Sequence, residues 1–462
     1  MRTALLTVAA LTQVLTSCGG GGEEPFNVIL VTVDTLRADR MSLYGYERTT
    51  TPFLEELAAS STVFDNHLSQ AGCTFPSVNS MLTSRSAEHF LDRASEYGMV
   101  IPEDTVSLPE IFVDEGYLTM AVSTSLIVRK TPSVNQRGGF DRGFMRFDES
   151  CKVKSADCVH GVTLDALDGR SAEQKERPFF LYLHYLEPHS PYRPPKWHQK
   201  QWAGPGPDRR WVRRGEGHTL MRNHYGEGGA RFDRDHPWIE HFLDLYDEEI
   251  RFFDDAFRGF LDELDQRGEL DDTIIILLSD HGEEFLEHGE VAHCRDIAYQ
   301  TNLWVPWMVH VPERHPLHDE ISGKRVGQLS ANLDVAPTLL GLLGWGHRPE
   351  LELFEGLDFG PIWTGARGEA EPLRRYVAAA QGKSRVLRVG DWKVIVDLET
   401  DAVQLYDLAR DPMETEELSA RYPERLAEMR EALERYLASV DRSAAAADAR
   451  ELERALERLG YL

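Results

Sequence analysis

Five cysteines in 462 residues are too few to build a disulfide scaffold, and a chain of this length has no need of one. Basic residues are also scarce. Fifty Lys plus Arg stand against 77 Asp plus Glu, a formal charge of -27. Such a surface repels DNA, RNA and other long polyanions, so no nucleic-acid partner is expected. Hydrophobic residues make up 42% and charged residues 27%, which fits neither a disordered chain nor a polytopic membrane protein. No internal repeat is visible. What is left is a globular protein with one large domain or two ordinary ones.

The N-terminus reads as an address. Arg2 precedes an apolar run, Ala4 to Thr16, too short to span a bilayer as a mature helix. It ends in Leu15-Thr16-Ser17-Cys18, which resembles a bacterial lipobox, where cleavage leaves a lipidated Cys18. An ordinary signal peptide with a chance cysteine is the plainer alternative. Residues 1–18 are therefore expected to be a lipoprotein signal peptide and 19–25 a flexible Gly-rich linker. The expectation is a lipid anchor on Cys18 at the bacterial cell envelope, with the rest facing an extracytoplasmic space. That address permits disulfides among the remaining four cysteines, and Cys151 with Cys158 would close a small loop.

Continuous apolar runs at Phe26–Val33, Pro178–Tyr185, Thr273–Leu278 and Trp304–Val311 predict strands buried on both faces. Thr51-Pro52 predicts a capped helix start. Ile250, Phe253, Phe257, Leu261 and Leu264 recur at helical spacing. Strands alternating with helices predict an α/β fold with a large, mostly parallel sheet between helices, spanning 26–345. From about 346 to 440 the pattern changes. Arg385–Leu398 reads as short strands around Gly390-Asp391, and Leu426, Met429, Leu433 and Leu437 form a helical stripe. This segment is expected to be a small C-terminal α+β lobe, followed by a helical tail over 441–462. Residues 196–240 look like a long insertion, the kind that often shapes a substrate mouth.

In parallel sheets, ligands sit beyond the carboxyl ends of the strands. Three candidate strands end in polar groups: Asp34 after the first, Glu187-Pro188-His189 after the second, and Asp280-His281 after the third. A lone acidic residue there is usually a helix cap, but three such ends on one sheet edge are harder to dismiss. Carboxylates with neutral imidazole suit a divalent cation, and the mixed set leaves its identity open among Ca, Mn and Zn.

An ordered series of motifs runs along the chain. It starts with Asp34-Thr35-Leu36-Arg37-Ala38-Asp39, Tyr44-Gly45-Tyr46, Thr51-Pro52, and Thr74-Phe75-Pro76-Ser77 up to Leu82-Thr83. It continues through His184 to His189, through Ser279-Asp280-His281-Gly282-Glu283 with Glu287-His288-Gly289, and through Asp334 and Pro337-Thr338. Leu405-Tyr406-Asp407-Leu408, Asp411-Pro412 and Leu459-Gly460-Tyr461 close it, and in this order the series resembles the sulfatase family. The resemblance implies the alkaline phosphatase superfamily fold, a central sheet between helices with a small C-terminal sheet-and-helix lobe. It also implies Asp34, Asp280 and His281 as metal ligands, and Thr74 as a nucleophile that touches the metal. His189 and His293 match groups that contact the ester and assist the leaving group.

The departures carry chemistry too. Family sulfatases place a Cys or Ser, converted to formylglycine, two residues before the motif Pro and an Arg two after it. Here Thr74 stands at the nucleophile position, Cys73 is one residue early, and Val78 replaces the Arg. Thr124 and Leu126 stand where a Lys and a His usually meet the anion, and Thr35 replaces a frequent second Asp. Thr124 and Asn79 are the candidates for substrate contact. Formylglycine is not expected. A sulfated threonine lacks the exit that a formylglycine hemiacetal has, whereas phosphothreonine is an ordinary intermediate. Thr-Phe-Pro also resembles the nucleophile motif of nucleotide pyrophosphatase/phosphodiesterases.

With so little positive charge, a monoanionic ester suits the site better than a dianionic phosphate monoester. The expected substrate is a small sulfate ester, phosphodiester or phosphonate ester. A second metal on Glu187, His189 and His293 would weaken that inference. His184, inside an apolar strand, reads as a satisfied core histidine, and His288 as a solvated or supporting group. Cys73 and Cys294 adjoin Thr74 and His293, so either a bridge across the site or two buried thiols fits. Two rivals share the scaffold: a phosphoryl-group transferase, and a decayed surface-binding lipoprotein. Retention of Asp34, Thr74, Asp280, His281, His189 and His293 together speaks against decay.

Overall fold

The computed structural model describes residues 25–91, 105–130, 139–151, 154–198, 201–204, 233–296, 298–366 and 372–440. The leader with Cys18, the Gly-rich linker up to 24, most of the 196–240 insertion and the tail from 441 lie outside the described residues. No helix among the described residues is long and apolar enough to cross a membrane.

In chain order, Asn27–Val33 forms β1, Pro52–Ala58 α1, Ser61–Leu68 β2, Thr74–Thr83 α2 and Leu108–Asp114 α3. Leu118–Ser123 is β3, Arg146–Asp148 β4, Ala156–Asp168 α4, Phe179–Tyr185 β5, Pro237–Gln266 α5 and Thr273–Leu278 β6. Trp307–His310 is β7, Lys324–Ala331 β8 and Val335–Leu342 α6. These strands make one eight-stranded sheet in the order β8-β2-β7-β6-β1-β5-β3-β4. Only β7 runs antiparallel to its neighbours; every other pair is parallel.

The central strands are apolar throughout because both faces are covered. Ile29, Val31 and Val33 of β1 pack with Leu181 and Leu183 under α1, α4 and α5. Val28 and Leu30 face the other way, into a core with Phe75, Val78, Ile111 and Leu339 from α2, α3 and α6. In α5 the periodic Ile250, Phe253, Phe257, Leu261 and Leu264 are buried, which is why thirty residues hold as one helix.

The start of α1 corrects one expectation. Pro52 does occupy the first turn, but Thr51 makes no side-chain cap. Asp254 of α5 caps it instead, accepting from Phe53 N at 2.8 Å and Leu54 N at 2.9 Å. A cap supplied across the fold satisfies the same orphan N–H groups.

Tyr376–Gln381, Ser384–Val389, Trp392–Asp397 and Val403–Asp407 (β9 to β12) form a separate antiparallel meander. One face takes Met429, Ala432 and Leu433 of the helix Pro423–Val440 (α7). The other face, with Val377, Ala379, Val386 and Ile395, packs on Leu68, Leu303 and Leu333 beside the carboxyl edge of the large sheet. Residues up to Trp363 still pack against the large sheet's core.

Candidate active site

Parallel alignment of β1, β3, β5 and β6 brings their carboxyl ends to one edge, and the polar residues beyond them converge there. Asp34 follows β1, and its N–H donates to Tyr185 O at 2.9 Å. Asp280 and His281 follow β6 after Ser279. Asp280 Oδ1 accepts from Thr35 N (3.2 Å) and from His281 N (2.9 Å), which leaves Oδ2 over. Asp34 Oδ1 and Asp280 Oδ2 are both fully buried, and neither accepts a hydrogen bond.

Between them lies His281. Its Nδ1 donates to Gly282 O at 2.9 Å, so in the neutral ring Nε2 carries the lone pair. That nitrogen sits 3.5 Å from Asp280 Oδ2, 3.8 Å from Asp34 Oδ1 and 3.1 Å from Thr74 Oγ1. Asp34, Asp280 and His281 are the one such cluster among the described residues in which three possible ligand atoms fall within 4.8 Å of one another. Burial and the charge of Asp34 raise the Asp280 carboxyl. For Asp34 burial works the same way, but His189, His184 and His281 outweigh it and hold the group below the carboxylate range. Two dry carboxylates with spare oxygens and a lone-pair nitrogen fit a divalent cation, which would let both stay ionised.

Thr74 opens α2 directly after the extended residue Cys73. The helix is pinned in place by Ser77, which donates to Asp280 O at 2.5 Å and accepts from Asn332 Nδ2 at 3.0 Å. Gly282 lets the β6 loop pass close by: a Cβ there would lie 1.9 Å from Thr301 O. Thr35 is fully buried with φ of 61°, a conformation β-branched residues rarely adopt, and its hydroxyl has no partner. The packed ends of β1 and β6 hold it there.

A model of the sulfatase family matches residues 26–345, the span of the large sheet and this edge. The chain belongs to the sulfatase family. Human iduronate 2-sulfatase is 25% identical over 401 residues, covering 76% of this chain and 70% of that protein. The phosphonate monoester hydrolase of Agrobacterium radiobacter superimposes with a TM-score of 0.66 at 18% identity, covering 88% of this chain and 95% of the other. A structure solved with its substrate D-glucosamine-2-N,6-O-disulfate also gives 0.66, at 19% identity, covering 89% and 97%. These superpositions show that the chain shares the fold of those two proteins.

In this sulfatase-family chain the imidazole wall faces the carboxylate floor. The His293 ring lies 4.7 Å from that of His281 and 4.8 Å from that of His189. His293 Nδ1 is held by Glu283 Oε1 at 2.8 Å, and His189 Nδ1 donates to Ser190 O at 2.5 Å. Burial lowers the His189 ring to about 4, helped by the charge of His293. Burial also opposes charge on His293, but Glu283, Asp34 and Asp280 outweigh it and raise that ring. Environments that push two neighbours apart sort them into an acid and a neutral partner.

The remaining candidates are placed as follows. Thr124 follows β3, and its N–H and hydroxyl both donate to His184 O at 3.2 Å. Asn79 is buried on α2, where Nδ2 donates to Phe75 O at 2.8 Å and Oδ1 has no partner. Val78 is sealed in the apolar core. Glu187 Oε1 accepts from Ala156 N at 3.0 Å, at the start of α4, and is not grouped with the two histidines. His288 is held between Glu284 (2.9 Å) and Met413 O (2.8 Å).

Three residues support the site in ways that the sequence did not show. His184 is buried and satisfied, as a core histidine should be, but one of its partners is Asp34 Oδ2 at 3.3 Å and the other the Tyr182 hydroxyl at 2.9 Å. Glu283 holds His293. Lys154 bonds the His189 carbonyl and the buried Glu249. His184 and Glu283 each stood in a quoted motif, whereas Lys154 carried no signal.

Proposed function

We propose that this hydrolase cleaves a monoanionic ester, a phosphodiester or phosphonate monoester in preference to a sulfate ester, with Thr74 as nucleophile. The carrying observation is that Thr74 Oγ1 lies 3.1 Å from His281 Nε2, beside the two carboxylate oxygens that accept nothing. Asp34, Asp280 and His281 would hold one divalent cation, with Thr74 touching it. Few oxygens and one imidazole favour Mn or Zn over Ca. Such a cation, when bound, eases ionisation of an adjacent hydroxyl and neutralises charge on the group in transfer.

The residues then divide the work. Thr74 gives up its hydroxyl proton to solvent, and its oxygen bonds to phosphorus as the ester oxygen departs. His293, raised by Glu283, gives that leaving oxygen a proton. Water next attacks the threonine ester and gives one proton to His293, while the departing Thr74 oxygen regains its proton from solvent. His189 stays neutral and offers the substrate a hydrogen bond. A sulfothreonine would need slow attack at sulfur, while a phosphothreonine hydrolyses by this same geometry.

Both ester classes occur among the relatives, one named as a sulfatase and one as a phosphonate monoester hydrolase. The proposal includes lipid anchoring through Cys18 outside the cytoplasm. Two disulfides among the described residues, Cys73–Cys294 and Cys151–Cys158, support an oxidising address. The test is purified protein with added Mn, Zn or Ca on an aryl sulfate, a bis-aryl phosphate and an aryl phosphonate. Turnover of the phosphorus esters should lead, vanish with a chelator and return with Mn or Zn. A formylglycine mass shift, or sulfate turnover ahead of both phosphorus esters, overturns the reading.

A further inference from the structure

The disulfide Cys73–Cys294 joins two segments that lie 221 residues apart and meet at the site. Cys73 is the residue immediately before Thr74, and Cys294 immediately follows His293. Their Cα atoms are 4.7 Å apart, and Cys294 N adds a second tie by donating to Gly72 O at 2.8 Å. We infer that this bridge is a positioning device for the reaction: it sets His293, which protonates the leaving group, against the helix start that carries Thr74. Cys73 and Cys294 are thereby positioning residues. The inference rests on the roles given above to Thr74 and His293.

The segment around His293 is poorly placed to hold itself. It leaves a hairpin whose paired strands, Glu284–Phe285 and Val291–Ala292, are two residues each. Such a hairpin is not stable alone. The residues on both sides of His293 have left-handed backbones, Ala292 at φ 71° and Cys294 at φ 58°. Non-glycine residues keep that conformation only when their surroundings fix it. Glu283 anchors the ring through one hydrogen bond, at Nδ1, and the rings of His281 and His189 lie beside it. The bridge adds a covalent constraint at the next residue.

The opposite wall needs no such link. Thr74 is already fixed by the α2 backbone and by Ser77 on Asp280 O. Opening the bridge therefore moves His293 more than Thr74. The loss should fall on the proton that the leaving group needs, while attack itself is spared. The bridge also occupies the sulfur of Cys73, so the one cysteine near the nucleophile position is withheld from conversion to an aldehyde.

The experiment uses the metal-loaded full chain on aryl phosphodiesters whose phenols range from acidic to weakly acidic. Cys73→Ser/Cys294→Ser should lose at least about tenfold more kcat on phenyl than on 4-nitrophenyl esters, because only the poorer leaving group needs the proton. His293→Ala should show the same slope, and adding the two cysteine changes to it should steepen nothing further. If the double variant does not fold, wild-type enzyme is partly reduced with a phosphine, which is oxidised as each bridge becomes two thiols, and then alkylated. Loss of phenyl-ester activity should follow alkylation at Cys73 and Cys294, and not at Cys151 and Cys158. An equal loss across the phenol series, or none, overturns the inference. Full turnover by Thr74→Ala, or a flat series for His293→Ala, instead overturns the roles on which it rests.

Discussion

The floor and the wall of the site are built by different means. Asp34, Asp280 and His281 sit one to three residues beyond β1 and β6, two adjacent central strands in register from Asn27 with Thr273 to Thr32 with Leu278. Their positions follow from sheet hydrogen bonds that any folded copy must make. His189 and His293 sit on loops, and their places depend on tertiary ties: Glu283, the Lys154 bond to the His189 carbonyl, and a disulfide across the site. A floor made by the sheet would give the proposed metal a fixed seat. A wall made by cross-links would place the proposed proton-transfer groups, and it can be altered without unfolding the sheet.

The largest breaks fall on the proposed nucleophile and on the floor beside it. Thr74→Ala should cut turnover by about 10⁴-fold or more, since removing a nucleophile leaves only binding and electrostatic assistance. Metal content measured on the same preparation should stay near that of the wild type. Asp280→Asn should lose both metal and turnover, because one of two charges opposite the cation is gone. Thermal melting should show both variants folded. Metal retained in full by Asp280→Asn would mean that the orphaned oxygens are not the seat.

A smaller effect sharpens the same contrast one layer behind the floor. Nε2–H of His184 donates to Asp34 Oδ2, and Nδ1 accepts from Tyr182, whose hydroxyl is itself buried. This relay turns Asp34 Oδ1 toward Asp280. Partners that orient a ligand typically carry about 10–100-fold in metal affinity. His184→Phe should therefore weaken Mn or Zn binding by that order, as measured by titration calorimetry. His184→Gln, which keeps a donor, should recover part of it. Equal affinity in all three proteins would return His184 to a simple core role.

The difference between floor and wall also decides what could be read in the sequence. The apolar runs before Asp34 and Asp280 declare buried strands, and several polar residues just beyond such strands mark one candidate edge. The strand at Trp304–Val311 looked the same but runs antiparallel, because composition reports burial and not direction. Ties between distant residues leave no period to find. Asp254 capping α1 across 200 residues is one example, and Lys154 under His189 is another. Cys73 and Cys294 stood out only because each adjoined a residue already chosen. Even then, the sequence left both a bridge and two thiols open.

Thr124 tests where the site ends. By the family resemblance it stands where a lysine usually meets the anion, and its hydroxyl is engaged with His184 O at 3.2 Å. A long neutral hydrogen bond is worth about 1 kcal/mol, and valine keeps the shape while removing the donor. Thr124→Val should accordingly cost about fivefold in kcat/KM, expressed in KM and alike for good and poor leaving groups. That pattern separates a contact to the transferring group from the wall, whose loss must depend on the leaving group. A loss beyond about 100-fold would exceed what one neutral hydroxyl supplies. Thr124 would then be doing the work of a charge, and the case for a monoanionic substrate, which rests on the lack of one, would have to be rebuilt.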